Sequence, residues 1–196
     1  MTGALNLDPQ STAVLCMDFQ TGIVQNFAGE ESEALLERTA ALLDVARAAK
    51  ARVGYVKVGF RPGYPEVSPN NQSFSTIRST GRFEGDAPGA EIHPRVAPLE
   101  GEFVVTKHRV GAFHGTDLDM ILRANGIDTL VLAGIATSGV VLSTVRHAAD
   151  ADYRIVVVAD CCGDADAEAH RVLTEKVFPR QARVASSAEV VAALRG

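Results

Sequence analysis

Three short stretches of this 196-residue chain carry groups that could do chemistry. Asp18 directly follows the apolar run Thr12-Ala13-Val14-Leu15-Cys16-Met17, with Gln20 two residues on. A carboxylate at the end of a buried strand emerges partly desolvated, which suits it to proton transfer. Lys107 closes a second apolar run, Phe103-Val104-Val105-Thr106. A lysine beside a carboxylate keeps that carboxylate ionised, or stabilises charge that develops on a substrate. The third stretch is Gly134-Ile135-Ala136-Thr137-Ser138-Gly139-Val140-Val141, whose small residues permit a tight strand-to-helix turn. Backbone N–H groups of such a turn point into the crevice at a helix N-terminus and can hold an oxyanion or a carboxylate. Taken singly, each stretch has a plainer reading. Most Asp and Lys are solvated surface charges, and a strand, a glycine turn and a helix is how any doubly wound protein connects. The turn is neither a GxGxxG nor a phosphate loop ending in Gly-Lys-Ser/Thr.

The elements that must position these groups repeat along the chain: an apolar β-branched run, then polar residues or Gly, then an Ala/Leu-rich stretch at helical spacing. Strands are predicted over 12–17, 53–58, 103–106, 129–133 and 154–159, with a weaker one over 182–185. Their near-continuous apolar character is that of strands covered on both faces in a parallel sheet. Helices are predicted over 33–50, 117–125, 140–150, 165–177 and 187–194. Right-handed crossovers then place helices on both faces of a five- or six-stranded sheet. Ligands of such sheets bind at the carboxyl ends of the strands, by the point where strand order reverses. Asp18, Arg61, Lys107, Thr137, Ser138 and Asp160 all fall at those ends. The stretch 59–101 breaks the repeat: it holds six prolines and no strong apolar period, and it reads as a long unstructured connection serving as lid or binding loop.

Composition narrows the partners. With 46% hydrophobic and 22% charged residues, residues 1–196 read as one ordinary domain. Nineteen Lys and Arg against 24 Asp and Glu give a net charge of −5, which offers no basic footprint for nucleic acid. The segment 1–10 lacks a basic start followed by an apolar stretch, and no later segment approaches the roughly 20 apolar residues of a membrane span. Three cysteines, Cys16, Cys161 and Cys162, cannot build a conventional disulfide framework. The expectation is a soluble cytoplasmic protein with no membrane or nucleic-acid partner.

Read together and in order, the three stretches resemble the isochorismatase-like, or cysteine hydrolase, family. Ala13-Val14-Leu15-Cys16-Met17-Asp18-Phe19-Gln20 is similar to the family's first strand ending in Asp-x-Gln. Thr106-Lys107-His108-Arg109-Val110-Gly111-Ala112-Phe113-His114-Gly115-Thr116-Asp117-Leu118 is similar to its lysine segment, and Gly134-Ile135-Ala136-Thr137 with Thr144 and Ala148 to its turn and following helix. The resemblance implies a three-layer α/β/α fold, a Rossmann-like, mainly parallel sheet of about six strands in order 3-2-1-4-5-6. It also implies hydrolysis of small amides, ureido compounds or, in one branch, a vinyl ether. By position, Asp18 is then the acid/base and Lys107 its charge partner. A cis peptide falls at Ile135-Ala136, and the N–H groups of Ala136 and Val140 are the oxyanion donors. Self-association as a dimer or tetramer is implied too.

The chain departs from the pattern at the nucleophile, where the family's cysteine is replaced by Val140, which has nothing to deprotonate. Cys16 lies within the first strand, and Cys161 and Cys162 follow the fifth, so none substitutes by position. The vinyl-ether branch also lacks this cysteine, because its chemistry needs only an acid to protonate the substrate so that water can add. No metal or other cofactor is expected, since 59–75 contains neither Asp nor His where the nicotinamidase branch holds its metal. The substrate is expected to be a small carboxylated molecule contacting Gln20, Phe19, Arg61, Phe113 and Ser138, with Arg61 presenting a guanidinium to its carboxylate. The alternative is a catalytically silent member that binds a small ligand or serves as an interaction protein.

Overall fold

The computed structural model describes residues 5–27 and 31–196, so the start of the 1–10 segment lies outside the described residues. Six parallel strands form one sheet: β1 (Thr12–Met17), β2 (Arg52–Val58), β3 (Phe103–Lys107), β4 (Thr129–Ile135), β5 (Arg154–Gly163) and β6 (Arg183–Ala185). Their spatial order is β3-β2-β1-β4-β5-β6, the order that the family resemblance implies. Every residue of β1 and β4 is buried, which is why these runs are apolar throughout rather than alternating. The helices are α1 (Thr21–Phe27), α2 (Ser32–Ala48), α3 (Gln72–Thr80), α4 (Leu118–Ala124), α5 (Leu142–Asp150), α6 (Ala167–Val172) and α7 (Ser187–Arg195). One core cluster joins Val14, Cys16, Leu36, Leu42 and Val190 on the α2 and α7 face. The other joins Leu15, Met17, Leu118, Leu132 and Val145 on the α4 and α5 face. Among the described residues no helix is long and apolar enough to cross a membrane.

Strand order reverses between β1 and β4, which pair directly with Met17 opposite Gly134. Asp18 and the turn after β4 therefore flank the crevice, and Lys107 arrives two strands away beside Val58.

Three expectations need correction. The stretch 59–101 is not unstructured: it contains α3, capped by the Asn71 side chain accepting from the Phe74 N–H at 3.1 Å and closed by left-handed Gly81. Of its nine residues, only Phe74 is fully buried, so a run of Ser and Thr leaves almost no helical period to read. Helix α1 was likewise invisible, its seven residues being too few to repeat a period. The predicted helices over 140–150 and 165–177 are interrupted, because a wide π turn at Thr137–Val141 precedes α5 and another at Leu173–Val177 follows α6. Such turns keep the apolar spacing nearly intact while shifting the hydrogen bonds, and they concentrate at functional sites.

β5 runs on to Gly163, and its register against β4 slips: Leu132 faces Val157, but Gly134 faces Cys162. Asp160 lies in that bulge. Asp160, expected at the strand's end, thus lies inside β5, and its carboxylate accepts from the Ser187 N–H and hydroxyl, both at 2.7 Å, fixing the start of α7.

Candidate active site

Asp18 leaves β1 with φ of 59°, in the left-handed region, after its N–H has donated to Val56 O at 2.7 Å. Asp and Asn tolerate that conformation better than most residues. The turn of the backbone brings the carboxylate to Lys107, whose Nζ stands 2.9 Å from Asp18 Oδ2 with side-chain exposures of only 3% and 7%. Lys107 Nζ also donates to Arg109 O at 3.1 Å. Burial pushes the Asp18 carboxyl above the ordinary range, and the Lys107 ammonium pulls it back down. The other oxygen, Asp18 Oδ1, is buried and has no hydrogen-bond partner among the described residues. A buried acceptor left unmade costs roughly 1–3 kcal/mol.

The turn after β4 carries a cis peptide between Ile135 and Ala136. Gly134 lets the turn fold back closely, since a Cβ there would lie 3.0 Å from Val141 Cγ2 and 3.2 Å from Met17 O. Val140 is 2% exposed and belongs to the core cluster that holds Met17, Ala112 and Phe113. The three cysteines are all buried, and burial raises each thiol, that of Cys161 to about 12. None is therefore poised as a thiolate. Among the described residues no group of three or more His, Cys, Asp or Glu is placed to hold a metal ion.

The residues assigned to substrate contact each have partners of their own in the structure. Gln20 is fully buried, its Nε2 donating to Val58 O at 2.9 Å and Ala90 O at 2.8 Å and its Oε1 accepting from the Val58 N–H at 2.8 Å. All three bonds go to backbone, so Gln20 ties the 59–101 segment to the end of β2 and leaves its amide no role in holding a ligand. Gln20→Ala is expected to destabilise the protein by about 2 kcal/mol, because it orphans buried backbone groups; urea unfolding measures this. Phe19 packs into the α2-face core at 1% exposure, and its carbonyl accepts from the His93 N–H, so it is a core residue rather than a pocket wall. Phe113 stacks on His147, with centroids 4.5 Å apart and planes 9° apart. Arg61 is exposed and pairs with Glu66 on its own loop. Ser138 is exposed, and its N–H donates to Asp164 Oδ2 at 2.7 Å. The spacing of strand ends identified these positions, but only side-chain direction distinguishes a wall from a core.

Two residues at the turn carried no signal in the sequence. Asp164 holds the Ser138 N–H, and His170 Nδ1 lies 2.8 Å from Thr137 Oγ1. Both come from the segment after β5, and only the β4–β5 pairing brings them there.

The chain is similar to known proteins over most of its length. A family model described as an isochorismatase domain matches residues 12–189. An uncharacterized isochorismatase family protein of Bacillus subtilis, YwoC, is 35% identical over 180 residues, covering 92% of each chain. A maleamate amidohydrolase of Pseudomonas putida is 30% identical over 161 residues, 81% of this chain and 75% of that protein. An isochorismatase family protein from Burkholderia thailandensis superposes with a TM-score of 0.80 at 30% identity, covering 99% of this chain and 100% of the other.

Proposed function

The chain belongs to the isochorismatase family, and from that membership we propose a hydrolase of a small carboxylated substrate that works through Asp18 and Lys107 without a cysteine nucleophile. The observation that carries this reading is the buried Asp18–Lys107 pair with its unpartnered Asp18 Oδ1. Burial keeps a fraction of Asp18 in the acid form to higher pH than an exposed carboxyl. In the reaction, protonated Asp18 gives its proton to the alkene carbon of a vinyl ether. Water adds to the resulting oxocarbenium carbon and returns a proton to the Asp18 carboxylate, and the hemiketal collapses to a ketone and an alcohol as its hydroxyl proton passes to the departing oxygen. Lys107 stabilises the carboxylate that Asp18 becomes, and the N–H groups of Ala136 and Val140 are assigned to the substrate's carboxylate. The protein named maleamate amidohydrolase supports a carboxylated substrate with a C–N bond as the other bond to try. Val140, at the position where the family carries its cysteine, supplies no thiol. The oligomer is proposed to be a cytoplasmic dimer or tetramer, which light scattering sizes.

A panel of carboxylated vinyl ethers, amides and ureido acids tests the reading, assayed before and after treatment with iodoacetamide, with mass spectrometry counting adducts. At least one compound is expected to turn over, at a rate unchanged by alkylation. Loss of activity in step with adduct formation would assign the chemistry to a thiol and overturn it.

A second reading, a silent member that binds a ligand or partner, is favoured by the packing of Val140 into the core and the near-complete burial of Lys107. Absence of turnover across the panel selects it.

A further inference from the structure

We propose that His170 is a positioning residue for the turn after β4, holding Thr137 through an Nδ1–H so that the Ala136 and Val140 N–H groups keep their aim; the catalytic consequence rests on the hydrolase reading above. Thr137 is fully buried between the cis peptide and the π turn. Its hydroxyl makes two contacts, to Gly163 O at 3.1 Å and to His170 Nδ1 at 2.8 Å. The hydroxyl has one proton, and the Gly163 carbonyl can only accept. Both contacts are hydrogen bonds together only when Thr137 donates to Gly163 O and His170 Nδ1–H donates to Thr137. This fixes the tautomer, and because Nδ1 keeps its proton in the imidazolium, the bond survives protonation at Nε2.

The tie is reinforced on both sides. Thr174 Oγ1 donates to His170 O at 2.8 Å, fixing the backbone that carries the imidazole. At the adjacent turn residue, Asp164 accepts the Ser138 N–H through Oδ2 while its Oδ1 accepts the Asp166 N–H at 3.1 Å. Two consecutive residues of the turn are thus held from the segment after β5. His170 also lines a cavity of about 330 Å³ with Leu35, Arg38, Cys162 and Asp164, and neither Asp18 nor Lys107 is among its lining residues. The contact that His170 makes with the turn is the one to Thr137 Oγ1.

The test compares His170→Phe, which keeps a ring and removes the donor, with His170→Asn, whose side-chain amide can donate from the place of Nδ1. On a substrate from the panel, His170→Phe is expected to lower kcat about tenfold or more with KM within about twofold, since misaiming by an ångström can cost on the order of a hundredfold. His170→Asn is expected to recover most of the loss. The same pair in a Val140→Cys background gives a readout independent of the natural activity: iodoacetamide should alkylate position 140 at least threefold more slowly with Phe than with His or Asn. Equal kcat and equal alkylation among the three proteins would overturn the proposal. So would an Asn variant as impaired as Phe while melting at the wild-type temperature. If the wild type hydrolyses nothing, the hydrolase reading fails alone, and the alkylation series still decides whether His170 positions the turn.

Discussion

Asp18→Asn is expected to lower kcat by about 100- to 10,000-fold, the range that a positioned acid or base contributes, with KM little changed. Asparagine is the appropriate replacement for two reasons. It tolerates the left-handed backbone at φ 59°, where alanine would add strain to the loss of the acid. It also keeps the size and an acceptor for Lys107 Nζ, which stands 2.9 Å from Asp18 Oδ2. What it cannot do is release a proton to a substrate. Steady-state rates on the best compound of the panel, taken below the melting temperature of the variant, give the measurement. Equal kcat in the two proteins would remove Asp18 from the chemistry and leave it as one half of a structural ion pair.

The second large effect is on stability. Lys107→Met is expected to destabilise the protein by about 3–5 kcal/mol at neutral pH, as removal of one member of a buried ion pair does. The reason is that Asp18 remains at 7% side-chain exposure with no cation beside it. The pH dependence follows from the direction of the Asp18 shift. Burial raises its carboxyl in the folded state, so the native protein holds this proton more tightly than the unfolded chain. The resulting stability is fully present below the unfolded value of about 3.9 and is lost as pH rises through the folded one. Without Lys107 the folded value rises further, so the deficit of Lys107→Met should be smaller in acid and grow toward neutrality. The double variant Asp18→Asn with Lys107→Met removes both charges and is expected to recover most of the loss, giving coupling on the order of 2 kcal/mol or more between contacting residues. Urea unfolding of the four proteins at acid and neutral pH measures this. Additive losses that do not vary with pH would mean that the pair contributes no buried electrostatic coupling.

The sheet was legible because burial on both faces writes itself into composition. Thr12–Met17 and Thr129–Ile135 are buried at every residue, and only apolar or small side chains satisfy that. Asp18 and Lys107 were legible for the complementary reason, as charges standing where such runs stop. Helix α3 was not legible, since Phe74 alone anchors it and the Asn71 cap looks like any turn in a proline-rich stretch. The π turns at 137–141 and 173–177 were hidden because a slip of one hydrogen bond hardly disturbs apolar spacing.

For the site the division is sharper. Strand ends, and with them the positions Asp18, Gln20, Arg61, Lys107 and Ser138, follow from one-dimensional pattern, whereas the valine at 140 stands out only through the family resemblance. Which of these face one another is a matter of side-chain direction and register. Gln20 turned inward to bind backbone, Phe19 entered the core, and Arg61 paired with its own loop. Asp164 and His170 reached the turn only through the slipped pairing of β4 with β5. Sequence by itself determined the layers and the charged strand ends, because those depend on period and burial, while the sheet order came from the family resemblance. Tertiary structure decided that Asp18 and Lys107 meet at 2.9 Å out of solvent and that Thr137 meets His170, because contacts between residues distant in the chain depend on how the strands register.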